Sequence, residues 1–216
     1  MLEGKSVFIS GGSKGIGLAC AKRFASQGAR VFIAASNHER LSAATADLQA
    51  GGAGDVGFHA ADLRTVDGCN AAVSAALAQF GGCDIFVHSA GATKGGIFPD
   101  QPDEDMTDGF DLKFHAAVRL ARALWPSLKE SHGTVINIVG GFARTPAADF
   151  MVGGAVNAAL ANFSKALAEK GLLDDVNVNW IHPGLTVTER LDGIFADKAE
   201  QQSKTAAQVE KEAVAA

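Results

Sequence analysis

The stretch Ser10-Gly11-Gly12-Ser13-Lys14-Gly15-Ile16-Gly17 constrains this chain more than any other. An apolar run, Val7-Phe8-Ile9, leads into it, and Leu18, Ala19, Phe24 and Ala25 follow on one helical face. A chain that leaves a strand, turns on closely spaced glycines and at once begins a helix presents N–H groups and a positive dipole end beside bare backbone. That arrangement suits a pyrophosphate. Gly17 lets the helix pack closely against the strands. A second strand-like run, Arg30–Ala34, follows at the distance a β-α-β unit requires, which separates this loop from an incidental glycine turn.

The alternation continues along the chain. Ser6–Ser10, Arg30–Ala34, Val56–Ala60, Ile85–His88, Thr134–Val139 and Val176–His182 read as strands. Behind Thr65 as N-cap, Val66, Cys69, Val73, Ala76, Leu77 and Phe80 recur at helical spacing. Two further helices are expected near Thr107–Lys129 and Val152–Lys170. The pattern predicts an α/β fold over residues 1–216, a single-domain doubly wound parallel sheet of the Rossmann type with helices on both faces. The tail over 197–216 is polar and alanine-rich and reads as helix, ordered or frayed.

Composition narrows the function classes. A chain of 216 residues fits one domain, for which roughly 100–200 residues is usual. A net charge of −5 argues against a nucleic-acid surface. No apolar run reaches the ~18 residues of a membrane span, and Val7–Ile9 enters a glycine loop rather than a leader cleavage site, so a cytoplasmic protein without a membrane partner is expected. Cys20, Cys69 and Cys83 lack metal or disulfide spacing. No metal site is expected; Cys20 and Cys69 read as buried reduced thiols on apolar helix faces.

Four stretches, in order and at normal spacing, resemble the short-chain dehydrogenase/reductase family. They are Gly11-x-x-x-Gly15-x-Gly17, Asp62-Leu63 after the third strand, Ser89-Ala90-Gly91 after the fourth, and Pro183-Gly184-x-x-x-Thr188 after the sixth. The third is similar to the family's Asn-Ala-Gly, with His88-Ser89 in place of Asn-Asn. The resemblance runs from about Lys5 to Thr188. It implies a dinucleotide held by Gly11, Ser13, Lys14, Gly15, Ile16 and Gly17. Ser36 and Asn37 would flank the adenine ribose and Asp62 and Leu63 the adenine. Ser89, Ala90, Gly91, Asn157, Pro183, Gly184, Thr186 and Thr188 would line the remainder. It further implies a small-molecule substrate and a homodimer or homotetramer packed through the two long helices. The family usually adds a final strand, which no stretch after Thr188 supplies; either the protein is short by that strand or the sequence stops before it.

An acid closing the second strand would bind a ribose 2′-hydroxyl and repel a 2′-phosphate. That strand ends Ala34-Ala35-Ser36-Asn37, without one. Lys14 stands inside the glycine loop, where similar proteins that use NADP often carry a base, and Arg40 follows one helical turn after Asn37. NADP is therefore expected in preference to NAD.

The family reduces carbonyls with a Tyr, a Lys, a Ser and an Asn; a phenol of pKa near 10 is brought toward neutrality by Lys⁺ and the cofactor's charge. Alignment through the matching strands puts the Tyr at Gly153, the Lys at Asn157, the Ser at Gly140 and the Asn at Asp111. The chain has no tyrosine at all. Asp111 and His115, spaced i, i+4, are candidates for a substitute acid–base pair. Arg144, Thr145 and Asp149 lie in the loop between Gly140 and Gly153. Asn157 is of a type to hydrogen-bond a ribose hydroxyl, and His182 reads as a packed strand-end histidine. Gly153, Gly154, Ala155, Ala158 and Ala159 leave one helix nearly without side chains, as close helix packing or a larger ligand would require. The expectation is an NAD(P)-binding oxidoreductase with a degenerate active site and an unknown substrate. Its alternatives are a non-catalytic NADP(H) sensor or scaffold, and a lyase or isomerase using Asp111 and His115.

Overall fold

The computed structural model describes residues 2–52, 54–202 and 204–215. The chain divides into two compact units, Met1–Pro183 and Gly184–Ala216. The first holds, in order, β1 (Ser6–Ser10), α1 (Gly15–Ala25), β2 (Arg30–Ala35), α2 (His38–Ala50), β3 (Val56–Ala60) and α3 (Val66–Phe80). Then follow β4 (Ile85–His88), α4 (Asp103–Gly109), α5 (Ala116–Glu130), β5 (Thr134–Ile138), α6 (Met151–Asp174) and β6 (Asn177–Ile181). The second unit is a pair of helices, α7 (Glu189–Gln202) and α8 (Ala206–Ala215), packed through Phe195, Ala199 and Val209. Within the tail, α7 continues to Gln202 and α8 spans Ala206–Ala215.

The strands form one parallel sheet in the order β3-β2-β1-β4-β5-β6. It is the expected doubly wound architecture, and among the described residues no strand follows β6. Burial on both faces explains the composition of the central strands, since a parallel sheet is covered by helices on each side. In β1, Phe8 points into a cluster with Phe32, Phe86, Leu120 and Leu124, toward α3 and α5. Its neighbours Val7 and Ile9 point the other way, to Val31, Ile33, Leu41 and Ala21 under α1 and α2. Chain order reverses between β1 and β4, and the crevice at their carboxyl ends is where doubly wound sheets bind ligands.

Strand boundaries fall within a residue of expectation, and α6 extends beyond it at both ends. The helix expected over Thr107–Lys129 is a correction. It is built from α4 and α5 with a π-helical turn, Phe110–His115, between them. That wide turn leaves the regular ladder at the residues aligned with the family's Asn, and such turns concentrate at functional sites. Cys69 and Cys83 are buried and Cys20 half-buried, all three as free thiols. Among the described residues no helix is long and apolar enough to cross a membrane.

Candidate active site

The glycine loop is fixed by contacts that only glycine permits. Gly11 has φ +70° and donates its N–H to the Ala34 carbonyl at 2.7 Å. A Cβ on Gly11 would stand 2.7 Å from the Ala90 backbone nitrogen, and one on Gly17 would stand 2.2 Å from the Gly11 carbonyl oxygen. Lys14 is the N-cap residue of α1, and no side chain caps the helix. A helix start without a side-chain cap leaves first-turn N–H groups of the kind an anion-binding N-terminus uses. The residues present fit a dinucleotide pyrophosphate.

The floor of this cradle is a buried chain of hydrogen bonds. His88, wholly buried at the end of β4, lies 2.8 Å through Nδ1 from the Ser10 hydroxyl and 2.9 Å through Nε2 from the Lys113 carbonyl. A carbonyl only accepts, so Nε2 carries the proton and the Ser10 hydroxyl donates to Nδ1. Burial penalises the imidazolium and pushes the His88 pKa down to about 3.

The other expected adenine-side residues take up distinct roles. Ser36 is exposed. The Asn37 side chain accepts from the Arg40 N–H and caps α2. Asp62 accepts from the backbone and the guanidinium of Arg64. Partial burial alone would raise its pKa, but these bonds outweigh it and hold the carboxyl below the usual range. The Leu63 side chain is buried in the core, and its carbonyl accepts from the Cys69 thiol. In the second unit, the Thr186 hydroxyl bonds the Gly184 carbonyl, and the Thr188 carbonyl starts α7 by accepting from the Leu191 N–H.

Beyond β5, neighbouring side chains occupy the space beside Gly140 and Gly153. Gly140 has φ +140°, and its carbonyl accepts from Nδ1 of His182 at 2.8 Å, while the Trp180 indole donates to His182 Nε2. A Cβ on Gly140 would lie 2.7 Å from the Asn157 amide nitrogen. Asn157 therefore fills the room that a side chain at 140 would need. Asn157 is buried, and its Oδ1 has no hydrogen-bond partner among the described residues. At Gly153 a Cβ would lie 1.9 Å from the Phe150 ring, which leans on Phe142 with ring centroids 5.0 Å apart. The two rings, with Met151, Gly154 and Ala158, border a shallow apolar groove of about 310 Å³.

Asp111 and His115 do pair, Oδ1 to Nδ1 at 2.9 Å. Asp111 also faces Arg119 at 3.8 Å, and Arg119 bonds the Arg64 carbonyl, so the pair joins a charge network reaching Asp62 and Asp108. Arg144 and Thr145 are exposed, their N–H groups turned onto the Gly141 carbonyl; Asp149 is exposed and accepts at its carbonyl from the Gly96 N–H. Three residues escaped the sequence reading. Phe150 precedes Gly153 by one helical turn, a spacing that could have flagged it. Lys113 follows Asp111 by two residues and donates to the carbonyl of Val139, just past β5. His88 stands out in the sequence only as a departure from the family's Asn.

A doubly wound sheet with a glycine cradle at its switch point defines a nucleotide-binding class of proteins. Comparison places the chain within it. Residues 5–199 match the short chain dehydrogenase family. The 3-oxoacyl-(acyl-carrier-protein) reductase of Chlamydia muridarum is 30% identical over 197 residues, 90% of this chain and 79% of that one. The L-sorbose reductase of Gluconobacter frateurii, solved with NADPH and L-sorbose, is 34% identical with a TM-score of 0.88, covering 92% of this chain and 76% of that one. A Burkholderia cenocepacia short chain dehydrogenase solved with NADP is 32% identical with a TM-score of 0.84, covering 96% and 88%. This chain belongs to the short-chain dehydrogenase/reductase family.

Proposed function

We propose that this protein binds NADP(H) in preference to NAD(H) and is an oxidoreductase whose usual proton-transfer residues have been replaced. The observation that carries the reading is the glycine cradle, with an uncapped α1 N-terminus, Lys14 beside it and no acid closing β2. When bound, the dihydronicotinamide supplies a hydride. The chain's own residues hold the phosphates at Gly11–Gly17, and Lys14 engages the 2′-phosphate. Without a tyrosine acid, reduction of simple ketones loses most of a contribution that is typically 10²–10⁴-fold. Phe150 lying over Gly153 favours a second reading, a binding protein that reads the cofactor without turning it over. A homodimer or homotetramer packed through α5 and α6 is part of the proposal.

Calorimetric titration tests the cofactor. NADPH should bind more tightly than NADH, and Lys14→Ala should weaken NADPH about tenfold while leaving NADH nearly unchanged, as loss of one charge-assisted hydrogen bond predicts. Equal affinities for the two cofactors would sink the preference. A ketone panel with NADPH then separates a slow reductase from a binding protein. If turnover is found, Asp111→Asn and His115→Ala report whether that pair handles the proton. Light scattering that finds only a 22.2 kDa particle at micromolar concentration would exclude the oligomer.

A further inference from the structure

Lys113 sits where the family's pattern names no functional group. Its stem crosses the face of Gly91: a Cβ on Gly91 would stand 3.0 Å from Lys113 Cδ and 3.2 Å from Cγ. Its ammonium donates to the Val139 carbonyl, at the carboxyl end of β5. The next residue is Gly140, and the Asn157 amide fills the room beside it, its Oδ1 lying 3.3 Å from where a Gly140 Cβ would be. That oxygen is the buried acceptor without a partner among the described residues. The cation bonds Val139 and the unmet acceptor packs beside Gly140, so the two groups address adjacent residues just past β5. The backbone at 113 is held there from below, because His88 Nε2 donates to the Lys113 carbonyl within the π-helical turn.

These two groups complement one another chemically. An ammonium only donates, and the carbonyl oxygen of an amide only accepts. A sugar diol does both. A buried acceptor left unmet is costly, and a ligand hydroxyl that donates to it removes that cost. We propose that Lys113 is the cation of the nicotinamide half of the cofactor site, donating to the nicotinamide ribose while Asn157 Oδ1 accepts from it. The positive charge missing at position 157 is supplied from a different element, the π-helical turn before α5. This inference rests on the NADP(H) reading above.

The competing account is that Lys113 merely straps the turn to β5. The two accounts part when binding is measured with the whole cofactor and with its adenine half alone. Calorimetry on the full chain with NADPH and with 2′,5′-ADP, which has no nicotinamide ribose, makes that comparison. Lys113→Met should weaken NADPH by about tenfold and leave 2′,5′-ADP within about twofold, as loss of one charge-assisted hydrogen bond predicts. Lys113→Gln, which keeps a donor for the Val139 carbonyl but no charge, covers the case in which the Met variant does not fold, and should show the same selective loss. Asn157→Ala should weaken NADPH selectively as well. If NADPH binds the Met or Gln variant as tightly as wild type, Lys113 is only a strap and the proposal is overturned. A parallel loss of both ligands reports damage to the fold and overturns it too. A wild-type chain that binds neither ligand removes the NADP(H) reading itself, which is a distinct result.

Discussion

At the end of β1 the crevice is shaped by backbone, with Gly17 lying against the Gly11 carbonyl and Gly11 against Ala90; at the end of β5 it is shaped by side chains, with the Asn157 amide against Gly140 and the Phe150 ring against Gly153. In the first region no substitute exists, because what is required is the absence of a Cβ. In the second, Asn157 fills the room beside Gly140, and the Phe150 ring fills the room above Gly153. Binding geometry written in the backbone tolerates little change. Geometry written in side chains tolerates more, because one side chain can take up the room that another leaves.

The comparison can be broken most forcefully at Gly17. A Cβ 2.2 Å from a backbone oxygen has no flexible neighbour to displace, so Gly17→Ala should cost about 3 kcal/mol and abolish measurable NADPH binding. Gly54→Ala, with nothing within 4 Å, should stay within about 0.5 kcal/mol in the same urea titration. A tolerant Gly17 would show that the cradle is softer than its contacts suggest.

Next in size is the acid response of His88. Its folded pKa of about 3 lies below the ordinary 6.5, so between those values the unfolded chain binds more protons. Stability therefore falls as pH drops through that window, by up to about 1.4 kcal/mol per unit. His88→Asn keeps a donor for the Lys113 carbonyl and an acceptor for Ser10 but removes the titration. Between pH 6.5 and 4.5 the wild type should lose about 2 kcal/mol more than the variant in urea unfolding. Parallel pH profiles would mean that His88 is not the group that resists protonation.

The smallest effects sharpen the side-chain half of the comparison. Gly140→Ser alone meets the Asn157 amide and should cost about 1–3 kcal/mol. Adding Asn157→Ala should return the steric part, though not the part arising from φ +140°. A double-mutant cycle should give a coupling of roughly 0.5–3 kcal/mol, and Gly153→Ala with Phe150→Ala should behave alike. Simple additivity in both cycles would deny that these positions are coupled through packing.

The regions also differ in how far the sequence discloses them. Ser6–Ser10, Val56–Ala60 and Ile85–His88 are readable to the residue, because apolar runs cut short by turns leave little freedom. The glycine loop is readable for the same local reason. The break between α4 and α5 is not, since the side chain that holds the Lys113 carbonyl belongs to β4, 25 residues away. Gly140 and Gly153 can be singled out by register, but the side chains that fill the space beside them cannot. Phe150 and Asn157 earn their meaning only once the loop after β5 folds over α6.

The bond from Trp180 to His182 gives the protein an internal optical probe. Trp180 is tied through His182 to the Gly140 carbonyl, at the carboxyl end of the sheet. The other indole, Trp125, is fastened to Asp174 at the far end of α6, where Lys129 and Lys170 also bind that carboxylate. In Trp125→Phe, the remaining emission would report on the candidate site alone, and in Trp180→Phe on the body of the fold. One pair of variants would thus separate ligand arrival from unfolding without any external dye.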